Sequence, residues 1–313
     1  TEFSLFYFYL KTYAIHKFDF MKVLYILVLG GVFQAVIAIG QFLKQGSLGL
    51  TSFGESVIGP HMQGVASFFV VSGEKVIRAY GTTPHPNILA AYLFLTVVAI
   101  YFVVFYPKSK YYDSLMYQSI VHGVILFGLF FTFSRTIIFL FFMNFFVHGF
   151  LVNFIKRFRE EYLFGSFFKT KVLPILLVTV IATTTFVFFY WLEVQSRMSL
   201  SSEEEAVQLR VFYNEESLEG DINLFGVGLG DFTGWLMEQN PNLPRYMYQP
   251  VHNIYLLIYS ETGIIGFIMF LLFLAGLLYE FVKKTRLRDL KHYSFLLVAV
   301  SVLFIGLFDH FLL

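Results

Sequence analysis

Two residues at the start of a long apolar stretch carry side chains suited to acid–base chemistry. His252 and Asn253 precede the apolar residues 254–282, which are numerous enough to cross a bilayer. An imidazole can take or release a proton near neutral pH, since its unperturbed pKa is about 6.5. His252 is therefore a candidate general base at a membrane surface. The alternative is that it caps the next helix or bonds to headgroups.

Arginines suited to anion binding lie at several turns of the chain. A guanidinium presents a planar fork of donors that matches phosphate or carboxylate. Arg135, in FSRTI (133–137), is one candidate, although an arginine at the end of a span commonly reaches to lipid headgroups instead. Arg78 opens RAYGTTPHPNILAAYL (78–93), which also contains His85 and Asn87. Asn87 is expected to cap the helix that follows.

The composition predicts a polytopic membrane protein. Of 313 residues, 57% are hydrophobic and 14% are charged, whereas a soluble domain has about a quarter charged residues. The predicted fold is all-α, a transmembrane helical bundle formed by the single domain 1–313. The chain has no cysteine, which excludes disulfides and thiolate metal sites.

Hydropathy predicts seven spans and two long loops. Windows of roughly 19 apolar residues place the spans at 21–43, 87–106, 115–133, 137–155, 172–192, 254–282 and 293–311. The loop 44–86 contains an amphipathic piece, MQGVASFFVV, expected in the membrane interface. The loop 193–253 is long and polar. Apolar residues at both ends suggest further spans before and after this chain.

The basic residues predict which loops face the cytoplasm. Alternating the seven spans puts fifteen of the 22 lysines and arginines on one side, which the positive-inside rule makes cytoplasmic. Loop 193–253 then faces outward. Five of the seven basic residues on that face are arginines, which suggests an anionic ligand there, although a sample of seven is small.

Other polar motifs favour structural roles. SSEEEA (201–206) is typical of a capped, solvated helix start, and no spacing along the chain favours a metal site. LFGVGLGDF (224–232) lacks the GxGxxG spacing of a dinucleotide site, so its glycines are expected to let the backbone approach a ligand or another loop. Glu261, about 12 Å beyond His252 on a continuous helix, is expected to hydrogen-bond within the protein rather than to act in catalysis. Gly263 and Gly266 are expected to let a neighbouring helix approach.

Five motifs in order resemble one family. RAYGTTPHPNILAAYL, FSRTIIFL, RVFYNEES…LFGVGLGDF, VHNIYLLIYSETGIIGF and LFDHF are similar to segments of the O-antigen ligase and polymerase superfamily. The resemblance covers nearly all of the chain from about residue 20. It implies a membrane glycosyltransferase of the GT-C type with a large extracytoplasmic loop. The donor would be a glycan on undecaprenyl diphosphate, used without metal or cofactor.

The resemblance also implies roles for individual residues. His252 matches the family's loop histidine, which activates the acceptor hydroxyl, and Arg135 and Arg210 match arginines that hold the diphosphate, with Arg78 as a further candidate. The family has an aromatic residue a few positions after its loop arginine, and Phe212 and Tyr213 are near that position. Arg197 could take the part of Arg210. The supporting residues would be Asn253, His85, Asn87, Arg197, Asp309 and His310.

The sequence leaves several functions open. The acceptor could be another glycan, lipid A-core or a protein, in the inner membrane of a bacterium, and no nucleic acid partner is expected. A polymerase, a ligase and a protein O-glycosyltransferase share these motifs. The alternatives outside the family are a small-anion transporter of the bicarbonate type and a structural subunit of a polysaccharide export complex. A transporter would place polar groups near the midplane, whereas these candidates cluster at one face.

Overall fold

The chain folds as an all-α protein. The computed structural model describes residues 2–14, 17, 19–105, 115–154, 172–198, 205–219, 224–285 and 290–309. The helices are α1 (Glu2–Tyr9), α2 (Phe20–Lys44), α3 (Pro86–Phe105), α4 (Leu115–Phe131), α5 (Arg135–Phe154), α6 (Leu173–Phe189), α7 (Trp191–Met198), α8 (Glu205–Glu219), α9 (Phe232–Gln239), α10 (Ile254–Thr285) and α11 (Leu290–Ile305). A single hairpin of two short strands, β1 (Ser67–Phe69) and β2 (Lys75–Ile77), is the only sheet in the described residues.

Several of these helices are apolar enough to cross a membrane. Within the described residues, three are long enough by themselves, over Phe20–Lys44, Pro86–Val103 and Ile254–Lys283. α6 and α7 pass the same test together but are bent by 91° at Tyr190. Shorter apolar helices lie at Ser119–Phe131, Arg135–Leu151 and His292–Ile305. The predicted all-α polytopic membrane fold is therefore confirmed.

The chain divides into two compact units. The first contains residues 1–141 and 149–196, and the second contains residues 142–148 and 197–313. The stretch 201–204, which holds most of the SSEEEA motif, lies outside the described residues.

The first unit is built on α2. This helix packs against α3 and α4, and α4 also packs against α3 and α6. A Cβ on Gly128 of α4 would lie 2.6 Å from the Cβ of Ala35 on α2, so small residues bring these two helices close. Between α4 and α6, the buried imidazole Nε2 of His122 lies 2.9 Å from the Thr179 hydroxyl. Small contacts and polar pairs thus replace the hydrophobic effect, which does not drive helix association in lipid.

Three glutamines, two on α2 and one at its C-terminal cap, hold the loop that follows the helix. Gln34 and Gln41 are seven residues apart and share one face of α2, and Gln45 is the cap. Gln41 is fully buried; its side-chain oxygen accepts from the amides of Tyr80 and Gly81, and its Nε2 donates to the Gly81 carbonyl and to Glu55. Gln34 and Gln45 bond in the same way to Thr82 and Ile77. This glutamine ladder fixes the backbone of residues 77–82.

The predicted interfacial piece contributes one strand of a hairpin. Ser67–Phe69, from MQGVASFFVV, pairs antiparallel with Lys75–Ile77. Phe68 faces inward, where its ring lies 5.0 Å from that of Phe133, and Phe69 faces outward. Alternation of inward and outward side chains is the strand period, which accounts for the amphipathic character of the segment.

The second unit packs α8 and α9 against the first part of α10. The contact is an apolar core of Tyr213, Phe232, Leu236, Val251 and Leu257. A polar seam joins residues 142–148 of α5 to α11, since Asn144 Nδ2 donates to Ser301 at 2.8 Å and His148 Nε2 lies 2.7 Å from the Ser294 hydroxyl. Such bonds between helices replace water as the partner of polar groups inside a membrane.

Glu55 gives the loop after α2 a pH-dependent anchor. Burial raises the pKa of its carboxyl, but hydrogen bonds from Gln41 and from the amides of Leu48, Leu50 and Gly49 more than offset this. The folded-state pKa therefore lies below the ordinary value of 4.5. A carboxyl with a lowered folded-state pKa stabilises the fold above its ordinary pKa, and this stabilisation is lost as the pH falls through the folded-state value.

We predict that the stability difference between the wild type and Glu55→Gln shrinks as the pH falls below 4.5. The measurement is the unfolding midpoint of both proteins in detergent across a pH series. Lys44→Ala, at an exposed side chain near the same loop, serves as the control and should follow the wild-type pH dependence. A difference between wild type and Glu55→Gln that stays constant with pH would contradict the prediction.

Candidate functional site

Arg78 lies buried in the first unit, against the turn between α4 and α5. Its side chain is 9% exposed, its Nε donates to the Thr132 carbonyl at 2.7 Å, and its Nη2 donates to Asn87 Oδ1. The neighbouring amide of Ala79 donates to the Phe131 carbonyl at 2.9 Å. Because these donors bond to the protein itself, Arg78 fixes the α4–α5 turn relative to the start of α3.

The start of α3 differs from the sequence prediction. The helix begins at Pro86, and His85 is its capping residue: the His85 carbonyl accepts from Ile88, and its Nδ1 accepts from the Asn87 amide at 3.2 Å. The prediction that Asn87 caps the helix is therefore wrong. Its side-chain oxygen accepts instead from Arg78 and from the Ser134 hydroxyl, at 3.1 Å.

Arg135 is the first residue of α5, directly after a buried turn. Phe133 in that turn has φ 46°, a left-handed conformation that is costly for a bulky residue and persists only where packing fixes it. The packing comes from aromatic rings, with Phe133 near Phe186 at 5.7 Å and near Phe42 at 5.5 Å. Arg135 itself is partly exposed, beside the amides at the start of the helix. The aromatic packing at this turn therefore fixes the start of α5.

His252 stands at the start of α10 in the second unit. Asn253 caps this helix, since its Oδ1 accepts from the amides of Tyr255 at 3.0 Å and Leu256 at 3.3 Å. The Ile254 amide donates to the Gly306 carbonyl at 2.8 Å, which ties the start of α10 to the end of α11. Asn253 therefore performs the capping role that is the structural alternative for His252, and the imidazole is not used as the cap.

Asp309 and Tyr213 flank His252. The imidazole Nδ1 lies 3.7 Å from Asp309 Oδ1, within ion-pair distance when the imidazole is protonated, and the Tyr213 ring centroid lies 6.1 Å from that of His252. Tyr213 is fully buried and donates its hydroxyl to the Met247 carbonyl at 2.7 Å. A carboxylate beside an imidazole can hold the ring in one orientation.

The remaining predicted residues lie elsewhere in the second unit or outside the described residues. Arg210 lies on α8 one turn before Tyr213, so the two residues lie on neighbouring positions of one helix face. Arg197 lies in the last turn of α7. His310 follows Asp309 directly but lies outside the described residues. Among the described residues, no group of three or more His, Asp and Glu side chains could hold a metal ion.

α10 is broken at Gly263, although the sequence suggested one continuous span. Gly263 has φ 68° and ψ −173°, which ends the first helical segment at Thr262 and starts a second at Ile264. The break leaves the carbonyls of Ser260 and Glu261 without their usual helical donors. Val227 N donates to the Ser260 carbonyl at 2.9 Å and Gly228 N donates to the Glu261 carbonyl at 3.0 Å.

The glycine-rich loop 224–230 thus completes the broken helix. Besides the two donated bonds, the Leu224 carbonyl accepts from the Ile265 amide at 3.4 Å. A Cβ on Gly226 would overlap the Glu261 carbonyl group, 2.6 Å from its oxygen, and would lie 2.6 Å from Gly263 N. The partner that the glycines approach is therefore α10 itself. The neighbour at Gly263 is this loop rather than the helix that the sequence suggested.

Two contributors to these sites were not assigned from the sequence. Gln41, at the centre of the glutamine ladder, is a polar residue in an apolar span. Such a position indicates a hydrogen bond to another segment of the protein, and this signal was present in the sequence. Tyr213 was noted only as an aromatic residue near Arg210. Its place beside His252 depends on a tertiary contact between α8 and α10, which no local pattern encodes.

Fold and site together define an all-α, multi-pass membrane protein that carries a histidine–carboxylate pair at the end of a broken membrane helix. Residues 120–271 match the family model of the O-antigen ligase domain (Wzy_C), which includes α4, α5, the loop 224–230 and His252. This match supports the O-antigen ligase and polymerase superfamily, which the five sequence motifs resemble. Members of this family are glycosyltransferase-like enzymes that act on lipid-linked glycans. No curated protein and no solved structure matches the chain.

We predict that Gly226→Ala destabilises the second unit more than Gly230→Ala does. Both glycines have positive φ, 72° and 79°, so alanine costs roughly 1–2 kcal/mol of backbone strain at each. Only at Gly226 would the added Cβ also overlap another backbone, since Gly230 has open space around it. Unfolding midpoints in detergent and protease cleavage within residues 224–230 measure the difference. Equal effects would show that the contact with α10 does not stabilise the protein.

Proposed function

We propose that the protein transfers a glycan from undecaprenyl diphosphate to an acceptor hydroxyl at the outer face of a bacterial inner membrane. The reaction is metal-independent and inverts the anomeric centre, because the hydroxyl attacks from the side opposite the diphosphate. The observation that carries the proposal is the pairing of His252 with Asp309: His252 lies at the start of α10 within the matched O-antigen ligase domain, and Asp309 follows α11 outside the matched residues.

His252 acts as the general base in this proposal. It takes the proton of the acceptor hydroxyl as the oxygen attacks the anomeric carbon, a contribution typically of 10²–10⁴-fold in rate. Asn253 caps α10, so the capping role that is the structural alternative for His252 is performed by its neighbour. Asp309 acts as a positioning residue, because its Oδ1 lies 3.7 Å from Nδ1 of His252 and can orient the ring.

Arg135 and Arg210 hold the diphosphate in this proposal. Negative charge builds on the diphosphate as the glycosidic bond breaks, and guanidinium groups already aimed at it stabilise that charge. Support comes from the family resemblance and from the placement of each residue, Arg135 at a rigid turn and Arg210 one helical turn from Tyr213. The buried guanidinium of Arg78 bonds to Thr132 and Asn87, so we assign it to positioning the Arg135 turn rather than to the diphosphate.

We predict that His252→Ala abolishes glycan transfer, with a loss of about 10²–10⁴-fold, because the attacking hydroxyl loses its base. The measurement is transfer by purified protein in vesicles with EDTA present, supported by gel analysis of glycans after deletion and complementation. His61→Ala, at an exposed histidine in the loop after α2, is the matched control and should keep wild-type activity. Transfer by His252→Ala at the wild-type rate would refute the role of the imidazole.

A second prediction concerns Asp309. Asp309→Asn should lower kcat more than it raises KM, because the carboxylate orients the base without binding the substrate, and Asp309→Glu should recover part of the lost rate. Steady-state rates at varied donor concentration measure both parameters. If the asparagine and glutamate variants are equally impaired, or if only KM changes, the carboxylate does not position His252.

The gel pattern after deletion also separates the candidate activities within the family. Loss of long chains with a single-repeat product retained indicates a polymerase. Long chains left on the lipid carrier indicate a ligase. Normal glycans together with altered uptake of a small anion would support the transporter alternative instead.

A further inference from the structure

The loop 224–230 exposes large apolar side chains beside the break in α10. Leu224, Phe225 and Leu229 are 57%, 73% and 85% exposed, the last value among the highest of the large apolar residues in the described chain. Their backbone is held by the bonds to Ser260, Glu261 and Ile265, so the side chains project from a fixed position. An exposed apolar cluster of this kind indicates an interaction surface.

The length of α10 beyond the break gives the level of this cluster in the membrane. The 20 residues from Ile264 to Lys283 span about 30 Å, the thickness of the hydrocarbon core. Lys283 ends this segment at the far side, where lysines anchor a span in the interface. Gly263 therefore lies at the near boundary of the hydrocarbon, and the loop bonded to it lies at the same level.

The surface of α10 beyond the break is itself lipid-facing. Its exposed side chains are almost all large and apolar, and they include Ile264, Ile268, Met269 and Leu272. Leu224 is joined to this segment by its bond to the Ile265 amide, so the apolar surface of the loop continues that of the span.

We propose that Leu224, Phe225 and Leu229 insert into the membrane and bind the acyl chains of the leaflet at which α10 begins. The loop then anchors the second unit to the bilayer. Glycines at 226, 228 and 230 let its backbone lie flat against the helix break, while its apolar side chains contact lipid. This inference depends on the membrane fold and not on the proposed enzymatic function.

The absence of cysteine from the chain permits a direct test. Single cysteines at Phe225 and Leu229 would be labelled with a nitroxide and the protein reconstituted in phosphatidylethanolamine–phosphatidylglycerol vesicles without any polyprenyl lipid. Power-saturation EPR then compares the accessibility of each label to oxygen, which partitions into lipid, and to a water-soluble nickel chelate. Met269→Cys is the lipid-exposed reference, and Gln239→Cys, at the exposed polar end of α9, is the aqueous reference.

We expect the labels at 225 and 229 to be more accessible to oxygen than to the nickel chelate, as at Met269, and the label at 239 to show the reverse. Labels at 225 and 229 that behave like the label at 239 would overturn the proposal. So would dipolar broadening between labels that disappears on dilution with unlabelled protein, because the surface would then bind a second copy of the chain. Both substituted side chains are highly exposed, so the fold does not depend on them.

Discussion

A backbone group inside or beside hydrocarbon has no water to bond to, so every departure from a regular helix there needs a replacement partner. The break at Gly263 is such a departure. The loop 224–230 supplies the missing donors to Ser260 and Glu261 and accepts the amide of Ile265 in return. The position of His252 depends on this exchange, because the first segment of α10 is held at both ends, by Gly306 before it and by the loop after it.

The same constraint organises the first unit. The loop after α2 has little regular structure, and the glutamine ladder satisfies its backbone where no sheet or helix does. Hydrogen bonds of Arg78 and Asn87 then connect this loop to Thr132 and Ser134, so the turn that contains these two residues is fixed as well. In both units a polar side chain or loop backbone within a membrane protein serves mainly to satisfy peptide groups. The candidate catalytic residues are placed on the segments that these bonds hold fixed.

Hydropathy was sufficient to predict an all-α membrane fold, because the length of an apolar segment is visible in the sequence and does not depend on tertiary contacts. The sequence also suggested a cap at the start of α10, but as an alternative role of His252, whereas the capping residue is Asn253. The break at Gly263 could not be predicted, since a glycine in an apolar helix is equally typical of close helix packing, and the partner that decides between them lies more than 30 residues earlier. Asn87 was misassigned for a related reason: a residue suited to capping met a stronger donor, Arg78, that only the folded loop brings near.

The order of residues along the chain has a consequence for biosynthesis. The loop 224–230 is translated before α10, so its amides are already available when the broken helix enters the bilayer. The Gly306 carbonyl and the Asp309 carboxylate, by contrast, follow α11 and emerge from the ribosome last among these groups. The nascent protein can therefore form the hydrogen bonds at the break in α10 early. The surroundings of His252, by contrast, are completed only when the insertion of α11 is finished.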